Sequence, residues 1–180
     1  MALFGKRLHT PKYEVRGNEV AVLNTSRGII RVRLDGAGAP IHVANFCELA
    51  LSGFYDGTKF HRYVPGFVIQ GGDPNTREMS SADVAAGIPG PAGMPGTGGP
   101  GYCIREEFTT NPNNSHDDGA LAMARSQDPN SAGSQFYLCL GSQHGLDSGY
   151  TVFGQTVQGK ENISSLRAGD VLESVTIEYA

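Results

Sequence analysis

A chain of 180 residues with 14 basic and 18 acidic side chains carries a net charge of −4, too mild a balance to point to nucleic acid or a membrane surface as a partner. The length suits a single domain that can bury a core without covalent staples. Cys47, Cys103 and Cys139 are odd in number and widely spaced, so neither a zinc site nor a disulfide framework is expected, and a reducing, cytoplasmic compartment is the natural home.

Residues 1–18 are polar and mixed and read as an extended N-terminal extension, with residues 19–180 as the domain. Met1 to Arg7 has no long apolar stretch of the kind a signal peptide needs, and no run approaches membrane-spanning length. Val20–Thr25 and Ile29–Leu34 flank Ser26-Arg27-Gly28 as a hairpin, with Arg31 and Arg33 alternating against Ile30, Val32 and Leu34. Pro40 to Ser52 reads as a helix: Pro40 suits the first turn, Gly53 the C-terminal cap, and Val43, Phe46, Cys47 and Ala50 share one face.

A second hairpin follows, Phe60-His61-Arg62-Tyr63-Val64-Pro65-Gly66-Phe67-Val68-Ile69-Gln70-Gly71-Gly72-Asp73, turning at Pro65-Gly66. Strict alternation puts Phe60, Arg62 and Val64 on one face of its first strand. It puts Phe67, Ile69 and Gly71 on one face of the second, with Val68 and Gln70 on the other. Residues 74–101 form a Gly/Pro-rich surface loop. Within it glycine recurs at every third position from Gly87 to Gly96, a run too short for a collagen helix and better read as polyproline-like or mobile. Gly96-Thr97-Gly98-Gly99-Pro100-Gly101 matches G-x-G-x-x-G formally. It neither follows a strand nor opens a helix, so a dinucleotide site is rejected.

Ala120–Ala124, Phe136–Leu140 and Thr151–Phe153 are short strand candidates. Lys160 to Leu166 reads as a second helix and Val171 to Tyr179 as a closing strand. Many short strands with about two helices predict a mainly β protein, a closed antiparallel barrel capped by helices. Gly141-Ser142-Gln143-His144-Gly145 is not a G-x-S-x-G elbow. His116-Asp117-Asp118 reads as a polar loop rather than a metal site, and His61 as a satisfied structural histidine. No metal or cofactor is expected.

The hairpin string Phe-His-Arg-x-x-Pro-Gly-Phe-x-x-Gln-Gly-Gly-Asp resembles the signature of the cyclophilin family of peptidyl-prolyl cis-trans isomerases. Leu121-Ala122-Met123-Ala124, Pro129-Asn130-Ser131-Ala132-Gly133-Ser134-Gln135-Phe136-Tyr137 and Leu146-Asp147-x-x-Tyr150-Thr151-Val152-Phe153-Gly154 are similar to further family strings, in the family's order. The resemblance implies an eight-stranded closed barrel with two capping helices and an external groove. Arg62 and Gln70 would be catalytic, and Phe67, Val68, Ala124, Arg125, Gln135, Tyr137, Leu146 and Tyr150 would bind substrate. It also implies action on exposed Xaa-Pro bonds of folding proteins, with no cofactor.

Four departures stand out. Tyr137 replaces the commoner Phe and brings a hydroxyl that wants a partner. Gly145 stands where the family has Trp or His, which weakens the expectation of cyclosporin as a ligand. Val68 stands where Met is common. Gln127 and the 74–95 segment lengthen two loops. A proline-peptide-binding adaptor with weak catalysis is the alternative reading. No self-pairing pattern is apparent, and a monomer is expected.

Overall fold

The computed structural model describes residues 7–180; the first six residues of the predicted extension, and most of the stretch read for a signal peptide, lie outside them. The elements run β1 (Glu19–Thr25), β2 (Gly28–Leu34), α1 (Pro40–Leu51), β3 (Thr58–Lys59), β4 (Arg62–Val64), β5 (Val68–Gly71), α2 (Ser81–Ala86), β6 (Ala120–Met123), β7 (Phe136–Cys139), β8 (Val152–Gln158), α3 (Lys160–Ser165) and β9 (Val171–Tyr179). Among the described residues no helix is long and apolar enough to cross a membrane.

The strands form one antiparallel sheet in the order β3-β9-β1-β2-β8-β6-β7-β5-β4. This corrects the expected architecture. Among the described residues the sheet has nine strands rather than eight and is curled but not closed by a ladder, and there are three α-helices rather than two. The reason lies at Phe60-His61. The Phe60 N–H donates to the Asp170 carbonyl, on the β9 side, and the His61 N–H donates to the Gln70 carbonyl, on the β5 side. The chain therefore changes partner in mid-stretch. The two sheet edges, β3 and β4, are consecutive in sequence and meet end to end, so they cannot lie side by side and exchange hydrogen bonds.

The third helix, α2, falls inside the segment read as a loop. Ser80 caps it by accepting from the Asp83 N–H at 3.1 Å, and Gly87 ends it with φ +69°. Six residues are too few for an apolar period to show in the sequence. The glycine repeat beyond it is not polyproline-like. Gly90 and Gly93 exchange backbone hydrogen bonds in a tight antiparallel bridge.

The inner sheet face and α1 enclose the main core, built from Leu23, Ile30, Phe46, Tyr55, Phe60, Leu121, Phe136 and Phe153. The predicted apolar face of α1 is buried, but so are His42, Ala44 and Asn45 on its other sides. Segments distant in sequence cover them. The Asn45 amide donates to the Gly133 carbonyl at 2.8 Å, Tyr102 donates to the Asn45 side chain, and the Tyr13 N–H from the extended arm donates to Glu48 at 2.8 Å.

Candidate active site

β4 pairs with β5 so that Arg62 lies opposite Gln70, and β5 pairs with β7 so that Gln70 lies opposite Tyr137. β7 in turn sets Tyr137 opposite Ala122 of β6. Residues directly opposite in antiparallel strands share a face, so Arg62, Gln70, Tyr137 and Ala122 form one row across four strands. That row lies on the outer face, because the alternate residues Ile69, Leu138 and Leu121 belong to the core.

The outer face carries an apolar cluster of its own. Val68, Ala120, Ala122, Tyr137, Cys139 and Val152 are buried together, with Phe67, Ala124, Leu146 and Tyr150 packed against them. A cluster on the convex side of a sheet, separate from the core, is a shaped surface for an apolar guest. Strict alternation assigned Phe67 to the face of Ile69. Phe67 sits in the turn before β5, where period-two alternation does not hold, and it packs outward. The same rule grouped Phe60 with Arg62, but the partner change at Phe60-His61 breaks the alternation: Phe60 is fully buried in the core while Arg62 is exposed.

Among the described residues the Arg62 guanidinium makes no hydrogen bond or ion pair, leaving five N–H donors facing solvent at the edge of the apolar cluster. The Gln70 amide donates to Gln135 Oε1 at 3.0 Å, and the Gln135 amide donates to the Gly96 and Gly98 carbonyls at 3.0 and 2.8 Å. Gln135 thus clamps the Gly/Pro segment to the sheet beside the row. Asp73 holds the same segment from below, accepting the Asn75 N–H at 2.8 Å and the Gly96 N–H at 2.5 Å. Gly98 must be glycine for this: a Cβ there would lie 2.2 Å from Asp73 Oδ1. Gly72 has φ +87°, and its Cβ would lie 2.6 Å from the Ser134 carbonyl, which accounts for the second glycine of the Gln-Gly-Gly-Asp string.

Between the clamped segment and the sheet runs a groove of about 560 Å³ lined by Gln70, Ala124, Arg125 and Gln135 among others. Pairing of β6 with β7 stops at Met123, and the Ala124 N–H turns to the Gln135 carbonyl at 2.9 Å. Arg125 is not free. Its guanidinium stacks over the Tyr150 ring at 4.5 Å and its Nε donates to the Gly149 carbonyl at 2.8 Å. The predicted residues thus gather into three adjoining parts: the Arg62–Gln70 row, the apolar cluster, and the groove.

A family model described as cyclophilin type peptidyl-prolyl cis-trans isomerase/CLD matches residues 20–179. The chain belongs to this family. It is 42% identical over 159 residues to a peptidyl-prolyl cis-trans isomerase of Synechococcus elongatus, covering 87% of this chain and 94% of the relative. It is 40% identical to peptidyl-prolyl cis-trans isomerase B of Bacillus subtilis, covering 83% and 90%. Among solved structures, a cyclophilin of Cryptosporidium parvum crystallised in the presence of the dipeptide Ala-Pro superposes with a TM-score of 0.73 at 26% identity, covering 89% of this chain and 99% of that one. As a cyclophilin, the chain is an isomerase of Xaa-Pro peptide bonds that assists protein folding.

Two histidines read as unremarkable in the sequence are not so in this cyclophilin. His116, assigned to a polar loop, is fully buried, and its Nε2 lies 2.8 Å from the Tyr137 hydroxyl. His61, read as satisfied, has a buried Nδ1 with no hydrogen-bond partner among the described residues. Burial holds the His61 ring below the ordinary histidine range, with the Asp73 charge opposing. No spacing signal ties His116 to Tyr137, because they lie on segments joined only by the fold.

Proposed function

We propose that Xaa-Pro isomerisation in this cyclophilin runs on Arg62. Gln70 orients it, and Phe67, Val68, Tyr137 and Leu146 hold the proline ring. Ala124, Arg125, Gln135 and Tyr150 border the peptide that precedes the proline. The observation that carries this reading is the cross-strand pairing of an unpartnered arginine with Gln70 at the rim of an apolar cluster distinct from the core. The presence of Ala-Pro in crystals of the Cryptosporidium parvum relative is consistent with a proline peptide as the guest.

The chemistry asks for no nucleophile and no cofactor. Rotation about the amide meets a barrier of about 18–20 kcal/mol because the C–N bond is partly double. The uncatalysed event takes on the order of tens to hundreds of seconds. As the amide twists, resonance is lost and the proline nitrogen becomes a better acceptor. A fixed guanidinium aimed at that nitrogen gains strength only near the twisted state, which is the requirement for acceleration. An acceleration of about 10⁵ needs about 7 kcal/mol. One charge-assisted contact supplies about half of it, and holding the ring while the carbonyl swings supplies the rest.

The test is NMR exchange of an Ala-Pro-Phe peptide with the wild-type chain. Accelerated cis–trans exchange supports the reading. Binding without acceleration would mean a proline-peptide adaptor instead.

Cyclosporin as a ligand turns on Gly145. A Cβ built there meets nothing within 4 Å, so the wall is missing but the space for it is open. Gly145→Trp should fold normally and tighten cyclosporin and proline-peptide binding about tenfold, the effect of burying roughly 60 Å² more apolar surface. The chain has no native tryptophan, so emission from the new indole reports binding directly. Unchanged affinity with an unresponsive indole would refute the wall argument.

We also infer a monomer in a reducing, cytoplasmic setting. Of the exposed large apolar side chains, Ile29 and Val157 lie on the paired strands β2 and β8, while Leu51, Ile88, Met94 and Tyr179 come from other parts of the fold, and Cys47, Cys103 and Cys139 are unpaired.

A further inference from the structure

The Tyr137 hydroxyl is a polar atom in a socket that suits an apolar ring. Tyr137 is 4% exposed and His116 is 0% exposed, so neither can turn to water. His116 Nε2 lies 2.8 Å from the hydroxyl, and the two ring planes are nearly parallel, 13° apart. At the far side of the ring, His116 Nδ1 lies 2.8 Å from Asp147 Oδ1, which also accepts the His116 backbone N–H at 2.7 Å. Asp147 Oδ2 lies 3.1 Å from His144 Nδ1, at the solvent-facing end of the chain of contacts.

This arrangement dictates where the protons are. A carboxylate only accepts, so Nδ1 carries the ring proton, Nε2 is a bare acceptor, and the tyrosine O–H must donate to it. The hydroxyl hydrogen is thereby turned away from the outer cluster. We propose that His116, oriented by Asp147, is a positioning residue for the proline socket: it draws the Tyr137 hydroxyl backwards, so that the tyrosine presents an apolar wall to the proline ring. The inference rests on the reading above that Tyr137 lines that socket.

Burial keeps the ring neutral, holding His116 below the ordinary histidine range against the pull of the Asp147 carboxylate. The titratable groups facing it are Tyr137 from β7, Asp147 and His144 from the helical turn after β7, and Asp117 from its own loop. Protonation of His116 would place an N–H at Nε2 opposite the O–H. The hydroxyl hydrogen would then have to swing towards the socket.

The test compares KM and kcat for an Ala-Pro peptide in wild type, His116→Leu, Tyr137→Phe and the double variant. His116→Leu should raise KM about tenfold, because it strands a buried hydroxyl, with kcat changed less than twofold. In the Tyr137→Phe background the same histidine substitution should change KM less than twofold. Wild-type KM should also rise as pH falls into the range, below that of an ordinary histidine, where His116 takes up a proton, and Tyr137→Phe should remove that limb. Equal losses in the Tyr and Phe backgrounds would overturn the inference. Should His116→Leu fail to fold, ¹⁵N NMR of the wild-type ring decides: a bare Nε2 whose resonance moves in Tyr137→Phe supports it, and a protonated Nε2 overturns it. An unchanged KM in Tyr137→Ala would remove the socket reading itself, which is a different failure.

Discussion

Replacing Arg62 by alanine lowers kcat/KM for an Ala-Pro-Phe peptide by about 10²–10³-fold, the usual cost of removing one pre-aimed donor from a developing charge. The same substitution leaves folding stability within about 0.5 kcal/mol of wild type. The second half makes the first interpretable. Arg62 is exposed at the sheet edge and has no hydrogen bond or ion pair among the described residues, so its removal takes nothing from the folded state. A melting temperature within about 2 °C of wild type, together with lost exchange, assigns the loss to the chemistry. Arg62→Lys should recover only part of the rate. An ammonium keeps the charge but loses the planar fork that fixes the donor's direction. Near-full turnover of folded Arg62→Ala would end the assignment.

Most of this site was legible because it is local. The Arg62–Gln70 pairing is set by one tight turn, and a turn is a short-range sequence signal. The residues of β7 and of the Leu146–Tyr150 segment came from strings resembling a family, and could not have been ordered by periodicity alone. The failures share a cause. Alternation misplaced Phe67 and Phe60 because each lies where the chain leaves its ladder, at a turn and at a change of partner. The count of eight strands, which the resemblance implied, fell short at that same change of partner, where β3 pairs with β9 and β4 pairs with β5. His116 was invisible because its partners, Tyr137 and Asp147, are 21 and 31 residues away. Nothing in a string of characters marks an acceptor for a distant hydroxyl.

On the reading proposed above, the row of side chains accounts for a reaction on the outside of the sheet. The inner face is committed to a core of interlocking aromatic rings, Phe46, Tyr55 and Phe136 among them, that leaves no room for a guest. The outer face of β5, β6 and β8 has only small or slender residues at Val68, Ala122 and Val152 between Phe67 and Tyr137. Gln135 then ties the Gly96–Gly98 carbonyls to the floor, so the groove wall is held by the same residue that holds Gln70. On that reading, binding and positioning would be coupled through one amide.

The largest stability loss is expected at a residue the sequence did not single out. Glu107 is buried and accepts the N–H groups of Ile41 and His42 at 3.1 and 2.8 Å, capping a helix whose own N-cap residue, Ala39, offers no side-chain acceptor. Its Oε1 also lies 2.7 Å from His42 Nδ1, with the two side chains 5% and 1% exposed. Glu107→Ala therefore leaves two helix N–H groups and an imidazole N–H buried without acceptors. The expected cost is about 3–5 kcal/mol, read as a shift of the denaturant midpoint at constant slope and a melting temperature lower by roughly 10 °C. Adding His42→Leu should return part of the loss, because a buried apolar side chain has nothing left unpaired. A Glu107→Ala loss below about 1 kcal/mol would mean that water replaces the carboxylate at the start of α1, and that the buried pair does not anchor that helix to the segment before β6.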